Sequence, residues 1–507
     1  MDLPSTLHTA AQVRRIEAAA MEQGVPEVTL MSRAGAAACR LLLQRWPQAR
    51  RIGVVCGGGN NGGDGFVVAQ LLRESRHDVR VITCGDAART GEGAAAQAWK
   101  QMLAAGVEVM AFNDARAIES LRQCDVIVDA LLGIGVRAPL KPEAVAVIDA
   151  INDCARPVLS LDVPSGLDPD SGAALPAVRA TATITFLAVK QGLYLRDGPR
   201  CRGELRFDSL GGSPGSDDDF VTSSAQAPAL RRLGRADLSA VTAPRSHDAH
   251  KSQFGRVLIV GGGPGMPGAV RLAGEAALRV GAGLVTVATL AVHQCVVLGA
   301  RPELMCLAID DAASLAARLP AFDVIAIGPG LGTGEWSRLA LWTVLSHCRA
   351  DQGLVVDADA LNLLSMLEGL PRNPDWILTP HPGEAARLLD IPIAQVQADR
   401  PAALAALVER WGGVVALKGA GTLIGRTGTT PLLCDLGNPG MAVPGMGDVL
   451  TGAISGLLAQ HRDPLAATAA GVYLHALAGD QCASGGERGI LALEVAGQLR
   501  TALGQAR

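Results

Sequence analysis

The sequence predicts an α/β protein built from two domains, on three observations. Apolar, β-branched runs alternate with alanine-rich stretches throughout, the pattern of parallel strands covered by helices. Glycine-rich turns follow several of those runs, as they do where a strand feeds a helix. The length of 507 residues, with 49% hydrophobic and 19% charged residues, exceeds one ordinary core and suffices for two.

Taken in chain order, Thr9–Gly24 reads as a helix, with Thr9 and Gln12 as a capping box, Val13, Ile16, Ala20 and Met21 on one face and Gly24 as the stop. Strands are expected at Ile52–Cys56, Val79–Thr83, Val107–Phe112, Asp125–Ala130, Val158–Asp162 and Thr181–Leu187. Residues 211–228, GGSPGSDDDFVTSSAQAP, are poor in large apolar side chains and read as a linker. The expected division is therefore 1–212, a linker at 213–228, and 229–507. Strands then resume at Val257–Val260, Leu284–Thr289, Val324–Ile327, Leu354–Val356, Ile377–Thr379 and Val414–Lys418, and a long helix pair starts at Asp448.

The formal charge of −4 arises from interspersed acids and bases, so no basic stripe for nucleic acid is present. No apolar stretch approaches the roughly 18 residues of a membrane span, and a cytoplasmic protein is expected. The 11 cysteines are scattered without a C-x-x-C pair, as reduced core thiols would be.

In open α/β sheets ligands bind beyond the carboxyl ends of the strands, so the turns there carry the chemistry. The first is VVCGGGNNGGDGFVVAQLL, residues 54–72, where Gly57, Gly59 and Gly62 form a G-x-G-x-x-G. A dinucleotide turn has no need of the asparagines and Asp64 placed here, and no ribose-binding acid ends the second strand. DALLGIGVRAP (129–139) and LDVPSGLD (161–168) are the companion turns. Side-chain oxygens of Asn61, Asp129 and Ser165, from three strand ends, suit a hard cation.

These three motifs resemble the NAD(P)H-hydrate epimerase domain from about Thr9 to Phe207. The resemblance implies a Rossmann-like, three-layer domain that interconverts R and S hydrates of NADH or NADPH with a potassium ion. It implies that Asn60, Asn61, Gly62, Gly63 and Asp64, with Gly133, Ile134, Gly135, Val136, Arg137, Ala138 and Pro139, contact the hydrate. Asn61, Asp129 and Ser165 would hold potassium, and Asp162 would be the acid–base group. Lys190, closing a strand, is read as solvated.

In the second half GPGLG (328–332), LTPHPGEAARLL (378–389), LKGAGTLI (417–424) and NPGMAVPGMGDVLTG (438–452) again follow strands. In the last, Gly445 to Asp448 open a helix whose free N–H groups make an anion hole, and Asp448 beside it can take a proton from a hydroxyl. Lys418 and the turn after it can meet phosphate, although this is no P-loop, because the lysine precedes the glycines.

These motifs resemble the ADP-dependent NAD(P)H-hydrate dehydratases, with a ribokinase-like fold, over roughly Leu230 to Leu503. The resemblance implies that Ala269, Gly332, His381 and Asp448 bind the hydrate and that Lys418, Gly419, Ala420, Gly421, Thr422 and Gly447 bind ADP. Asp448 is expected to be the catalytic base and magnesium to accompany ADP. Pro444 stands where that family usually has Gly. Gly263, Gly265 and Gly268 are expected to serve close helix–backbone approach. The expected partners are the small-molecule substrate and further copies of the chain. The rival reading is a ribokinase-like small-molecule kinase fused to a non-catalytic Rossmann-like interaction domain.

Overall fold

The computed structural model describes residues 3–85, 92–211, 220–224, 227–309, 311–367, 369 and 375–506. The chain divides into two compact units, Met1–Leu230 and Arg231–Arg507. Of the expected linker, residues 213–219, 225 and 226 lie outside the described residues. The remainder is not bare coil: Phe220–Ser223 is helical, and Phe220 is buried in the first unit's core. One aromatic ring in a polar stretch was enough to anchor it.

The first unit carries a parallel seven-stranded sheet: β1 (Arg51–Cys56), β2 (Asp78–Thr83), β3 (Glu108–Ala111), β4 (Val126–Ala130), β5 (Val158–Leu161), β6 (Ala182–Phe186) and β7 (Glu204–Asp208). Their order is β3-β2-β1-β4-β5-β6-β7. It reverses between β1 and β4, the position where a doubly wound sheet opens a ligand crevice. The capping box of Thr9 and Gln12 forms, and Val13, Ile16 and Ala20 are buried, whereas Met21 is exposed. Two short strands, Thr6–His8 and Val189–Lys190, pair in parallel, with His8 beside Lys190. They and β7 were not anticipated, because runs of two to five mixed residues carry little periodicity.

In the second unit the strands are β8 (Leu230–Arg232), β9 (Arg256–Val260), β10 (Leu284–Thr289), β11 (Met305–Ala308), β12 (Val324–Ile327), β13 (Gly353–Val356), β14 (Ile377–Leu378), β15 (Val414–Leu417), β16 (Thr422–Arg426) and β17 (Leu432–Cys434). Their order is β11-β10-β9-β12-β13-β14-β15-β16-β17-β8, parallel except that β16 runs against β15 and β17. β11, β16, β17 and β8 add to the expected strands, and Thr422 opens β16 rather than lying in the preceding turn. Three helices, not a pair, close the chain: Met446–His461, Pro464–Cys482 and Ala492–Gln505.

The helix Met446–His461 is set by two glycines one turn apart. A Cβ on Gly452 would stand 2.0 Å from Ala273 O, and one on Gly456 2.7 Å from Ala277 O. Bare glycine faces thus let this helix lie directly on the backbone of the helix Pro267–Arg279, which fixes where its N-terminus points. The expected role of Gly263, Gly265 and Gly268 needs correction. Close approach falls at Gly261 and Gly263, whose Cβ atoms would meet Pro329 O at 2.2 Å and Leu331 O at 2.6 Å, while a Cβ on Gly265 or Gly268 meets nothing within 4 Å.

Candidate functional sites

In the first unit a cavity of about 840 Å³ opens beyond β1 and β4. Asn60, Asn61, Asp64, Asp162, Glu17 and Lys190 line it, together with Gly133–Arg137 and Pro139. Gly62, Gly63 and Ala138 are not part of that wall. A Cβ on Gly62 would lie 2.0 Å from Gly57 O, and one on Gly63 2.6 Å from the Met31 side chain. Gly62 therefore lets the helix Asn60–Glu74 pack tightly against its own strand turn, and Gly63 lets it pack against Met31 of the helix Glu27–Arg45, which is a different task from touching a ligand.

Asp162 follows β5 with φ +65, a left-handed conformation costly for a residue with a Cβ and recurrent at functional sites. Its Oδ1 accepts from Lys190 Nζ and, at 3.3 Å each, from Thr185 Oγ1 and Phe186 N. Lys190 is 1% exposed, and its ammonium also donates to Phe186 O at 2.8 Å and Thr185 Oγ1 at 3.2 Å. The expectation of a solvated lysine is thus overturned: the strand pair with Thr6–His8 covers the stem, and the charge is spent on Asp162. Burial first, then the neighbouring Asp162 and Glu17, push the Asp64 carboxyl well above its ordinary range.

Beneath the cavity Asp129 is fully buried. Its Oδ2 accepts from Ser160 Oγ at 2.7 Å and Ser165 N at 2.9 Å, and its Oδ1 from Ser165 Oγ at 2.5 Å. Neither side-chain atom of buried Asn61 has a hydrogen-bond partner among the described residues. An orphaned amide costs free energy unless something fills the gap. The Asn61 side chain sits against Gly133, where a Cβ would come within 3.1 Å. The Asn61 amide oxygen is thus unspent, whereas the Asp129 oxygens and the Ser165 hydroxyl already bond to one another; amide, carboxylate and hydroxyl oxygens are the donor types a hard cation takes.

In the second unit the ends of β13, β14 and β15 and the start of the helix Met446–His461 converge. Lys418 Nζ donates to Asp357 Oδ1 at 2.6 Å and lies 3.8 Å from Glu384 Oε2. The other Asp357 oxygen accepts from Thr451 Oγ1 at 2.6 Å. A Cβ on Gly447 would stand 3.5 Å from Lys418 Nζ, so the helix N-terminus and the ammonium share one space. Gly445, with φ +91, takes the N-cap position, which leaves Asp448 as the third helical residue, free of capping duty. Burial, then Asp357, raises the Asp448 carboxyl to about 7, and burial raises Glu384 to the same region, about 7. Burial alone would lower Lys418, but Asp357 and Glu384 outweigh it and hold the ammonium charged.

His381 caps the helix Pro382–Leu389: its Nδ1 accepts from Gly383 N at 2.9 Å and Glu384 N at 3.3 Å. Its Nε2 lies 3.3 Å from Glu384 Oε1, which ties it to the same cluster. Gly332 N donates to Asp359 Oδ2 at 2.8 Å, and Ala269 Cβ lies 2.9 Å from where a Cβ on Gly330 would be. Asp357, Glu384 and Thr451 were not singled out from the sequence. Asp357 had a usable signal, since it directly follows the apolar run Leu354–Val356 at a strand's carboxyl end.

A parallel sheet with its crevice at the β1/β4 reversal, followed by a mixed sheet whose carboxyl edge gathers Lys418, Asp357 and Asp448, defines a Rossmann-like domain followed by a ribokinase-like one. The chain belongs to the family of bifunctional NAD(P)H-hydrate repair enzymes. The NAD(P)H-hydrate dehydratase family matches residues 257–500, and the YjeF-related protein N-terminus family matches residues 27–192. The bifunctional NAD(P)H-hydrate repair enzyme of Coxiella burnetii is 45% identical over 498 residues, covering 98% of this chain and 99% of its own. That of Escherichia coli is 41% identical, covering 98% of this chain and 93% of its own. Among solved structures, the Bacillus subtilis ADP/ATP-dependent NAD(P)H-hydrate dehydratase, co-crystallised with ATP/Mg2+, is 30% identical with a TM-score of 0.51, covering 55% of this chain and 99% of that one.

Proposed function

We propose that this chain repairs hydrated NADH and NADPH, its first unit interconverting the R and S hydrates and its second dehydrating the S hydrate at the expense of ADP. The observation that carries the second half is Asp448, a carboxylate poised near neutrality at a helix N-terminus beside the Lys418–Asp357 pair. Full-length relatives named as bifunctional NAD(P)H-hydrate repair enzymes support the reading over a kinase with an inert N-terminal module.

In the second unit Asp448 takes the proton of the ring hydroxyl as that oxygen attacks the β-phosphorus of ADP, and the bond to the α-phosphate bridge breaks to leave AMP. Phosphate then departs with its carbon–oxygen bond, and a proton leaves the adjacent ring carbon, restoring the dihydropyridine. Lys418 and Gly447, with the turn Gly419–Gly421 and Thr422 at the start of β16, hold the diphosphate, and Ala269, Gly332 and His381 flank the hydrate. Magnesium with ADP would offset phosphate charge that one lysine cannot.

In the first unit Asn60, Asn61, Asp64 and the 133–139 turn surround the hydrate, and Asp162 moves the proton, with Lys190 holding its carboxylate in place. Asn61, Asp129 and Ser165 would hold potassium, which supplies a fixed positive charge at the cavity floor. The division of labour follows domains 1–212 and 229–507 joined by 213–228, in a cytoplasmic enzyme that assembles with copies of itself.

The test is to supply mixed-epimer hydrate with ADP and follow the return of dihydronicotinamide absorbance. Full recovery is expected for the native chain, recovery of the S fraction alone for Asp162→Asn, and none for Asp448→Asn. A native chain that leaves the hydrate untouched overturns the proposal.

A further inference from the structure

Arg400 is a cation with no carboxylate to answer it among the described residues. Its side chain lies under the turn between β15 and β16, residues 418–421, and the residue is 5% exposed. Its NH1 donates to Ala420 O at 2.5 Å, and its NH2 donates to Leu417 O at 3.0 Å and Lys418 O at 3.2 Å. Nε has no partner among the described residues, and no ion pair to Arg400 is present among them. A buried charge is ordinarily paired, so one that spends itself on carbonyls of a single turn has a task at that turn.

The geometry identifies the task. A trans peptide is planar, and its N–H points away from the carbonyl across the same bond. With the Lys418 and Ala420 carbonyls turned toward the guanidinium, the N–H groups of Gly419 and Gly421 face the opposite side. Those two residues have φ +142 and +69, conformations that favour glycine. A Cβ on Gly419 would also come within 3.1 Å of the Arg400 nitrogens, so the turn rests directly on the guanidinium.

We infer that Arg400 is a positioning residue for the nucleotide: it locks the turn so that two backbone donors face the diphosphate, and its unpaired charge favours an anion there. The inference deepens the assignment of this turn to ADP and rests on it. Lysine cannot fully reproduce the effect, because its ammonium donates from one point, whereas the rigid guanidinium reaches Ala420 O from one nitrogen and Leu417 O and Lys418 O from another.

The experiment measures ADP and ATP affinity by calorimetry on the full chain without hydrate, then separate KM values for nucleotide and hydrate. Arg400→Met is expected to weaken nucleotide binding and raise its KM about ten-fold to a hundred-fold, the usual cost of losing hydrogen bonds to a charged group. Arg400→Lys should fall between it and the native chain. Hydrate KM and the R-to-S conversion should change less than two-fold, and kcat at saturating nucleotide should be largely kept. Equal rises in both KM values, or unaltered nucleotide affinity in both variants, overturn the inference. Gly421→Ala separates the premises: if it leaves ADP binding intact, the turn is not the nucleotide site. If it abolishes binding while Arg400→Met does not, only the role of Arg400 fails.

Discussion

The Asp357 carboxylate is shared: Lys418 Nζ lies 2.6 Å from one oxygen, and Thr451 Oγ1, on the helix that carries Asp448, lies 2.6 Å from the other. One buried acid therefore ties the lysine after β15 to the helix that begins at Met446.

Breaking that tie on one side should be worse than removing it altogether. Lys418→Met leaves a fully buried carboxylate unpaired and should cost about 3–5 kcal/mol of stability in the second unit. Combining it with Asp357→Asn should recover much of that loss without restoring dehydration. Chemical denaturation monitored alongside the dehydration assay reads both.

A base near neutrality imposes a pH profile. The Asp448 carboxyl is raised to about 7, and in the proposed role of base it acts as the carboxylate. Dehydration should therefore decline as pH falls through about 7 and level off above it. Glu384 titrates in the same region, so Glu384→Gln should preserve the acidic limb if Asp448 is the base. A profile flat between pH 5 and 9 in kcat/KM would contradict the assignment.

In the first unit, Lys190→Met removes the cation that meets the Asp162 carboxylate. Use of the R hydrate should drop about a hundred-fold, within the range for loss of acid–base catalysis. Dehydration of pure S hydrate by the same protein should be unaffected, which makes the second unit an internal standard.

The glycine turn after β1 separates packing from contact. Gly62→Ala drives a methyl group to 2.0 Å from Gly57 O and should destabilise the first unit by at least about 1–3 kcal/mol. Gly59→Ala meets nothing within 4 Å and should fold as well as the native chain. Melting curves of the two variants decide it.

Much of this architecture could be read from the chain, and the gaps have definite causes. The central strands β1, β4, β10 and β12 are buried and β-branched, so their runs announce themselves. β16 and β17 lie behind a turn whose glycines read as continuous loop, and only antiparallel pairing to β15 reveals them. Asp448, Lys418 and Asp162 were legible because each sits in a motif at a strand or helix end. Lys190 was not, since a lysine closing a short strand looks solvated until the pair with Thr6–His8 covers it. Arg400 lay beyond reach for a related reason. It is remote from the turn in sequence, and its burial depends on how the helix Arg400–Trp411 meets the sheet.

Phe220 sets how the chain can be divided. Because its ring fills part of the first core from within the stretch between the domains, a protein ended at residue 212 would carry an unplugged hollow in its hydrophobic interior. Cutting after Ser224 spares that hollow, so the safe seam between the two catalysts lies further along than the change in composition suggests.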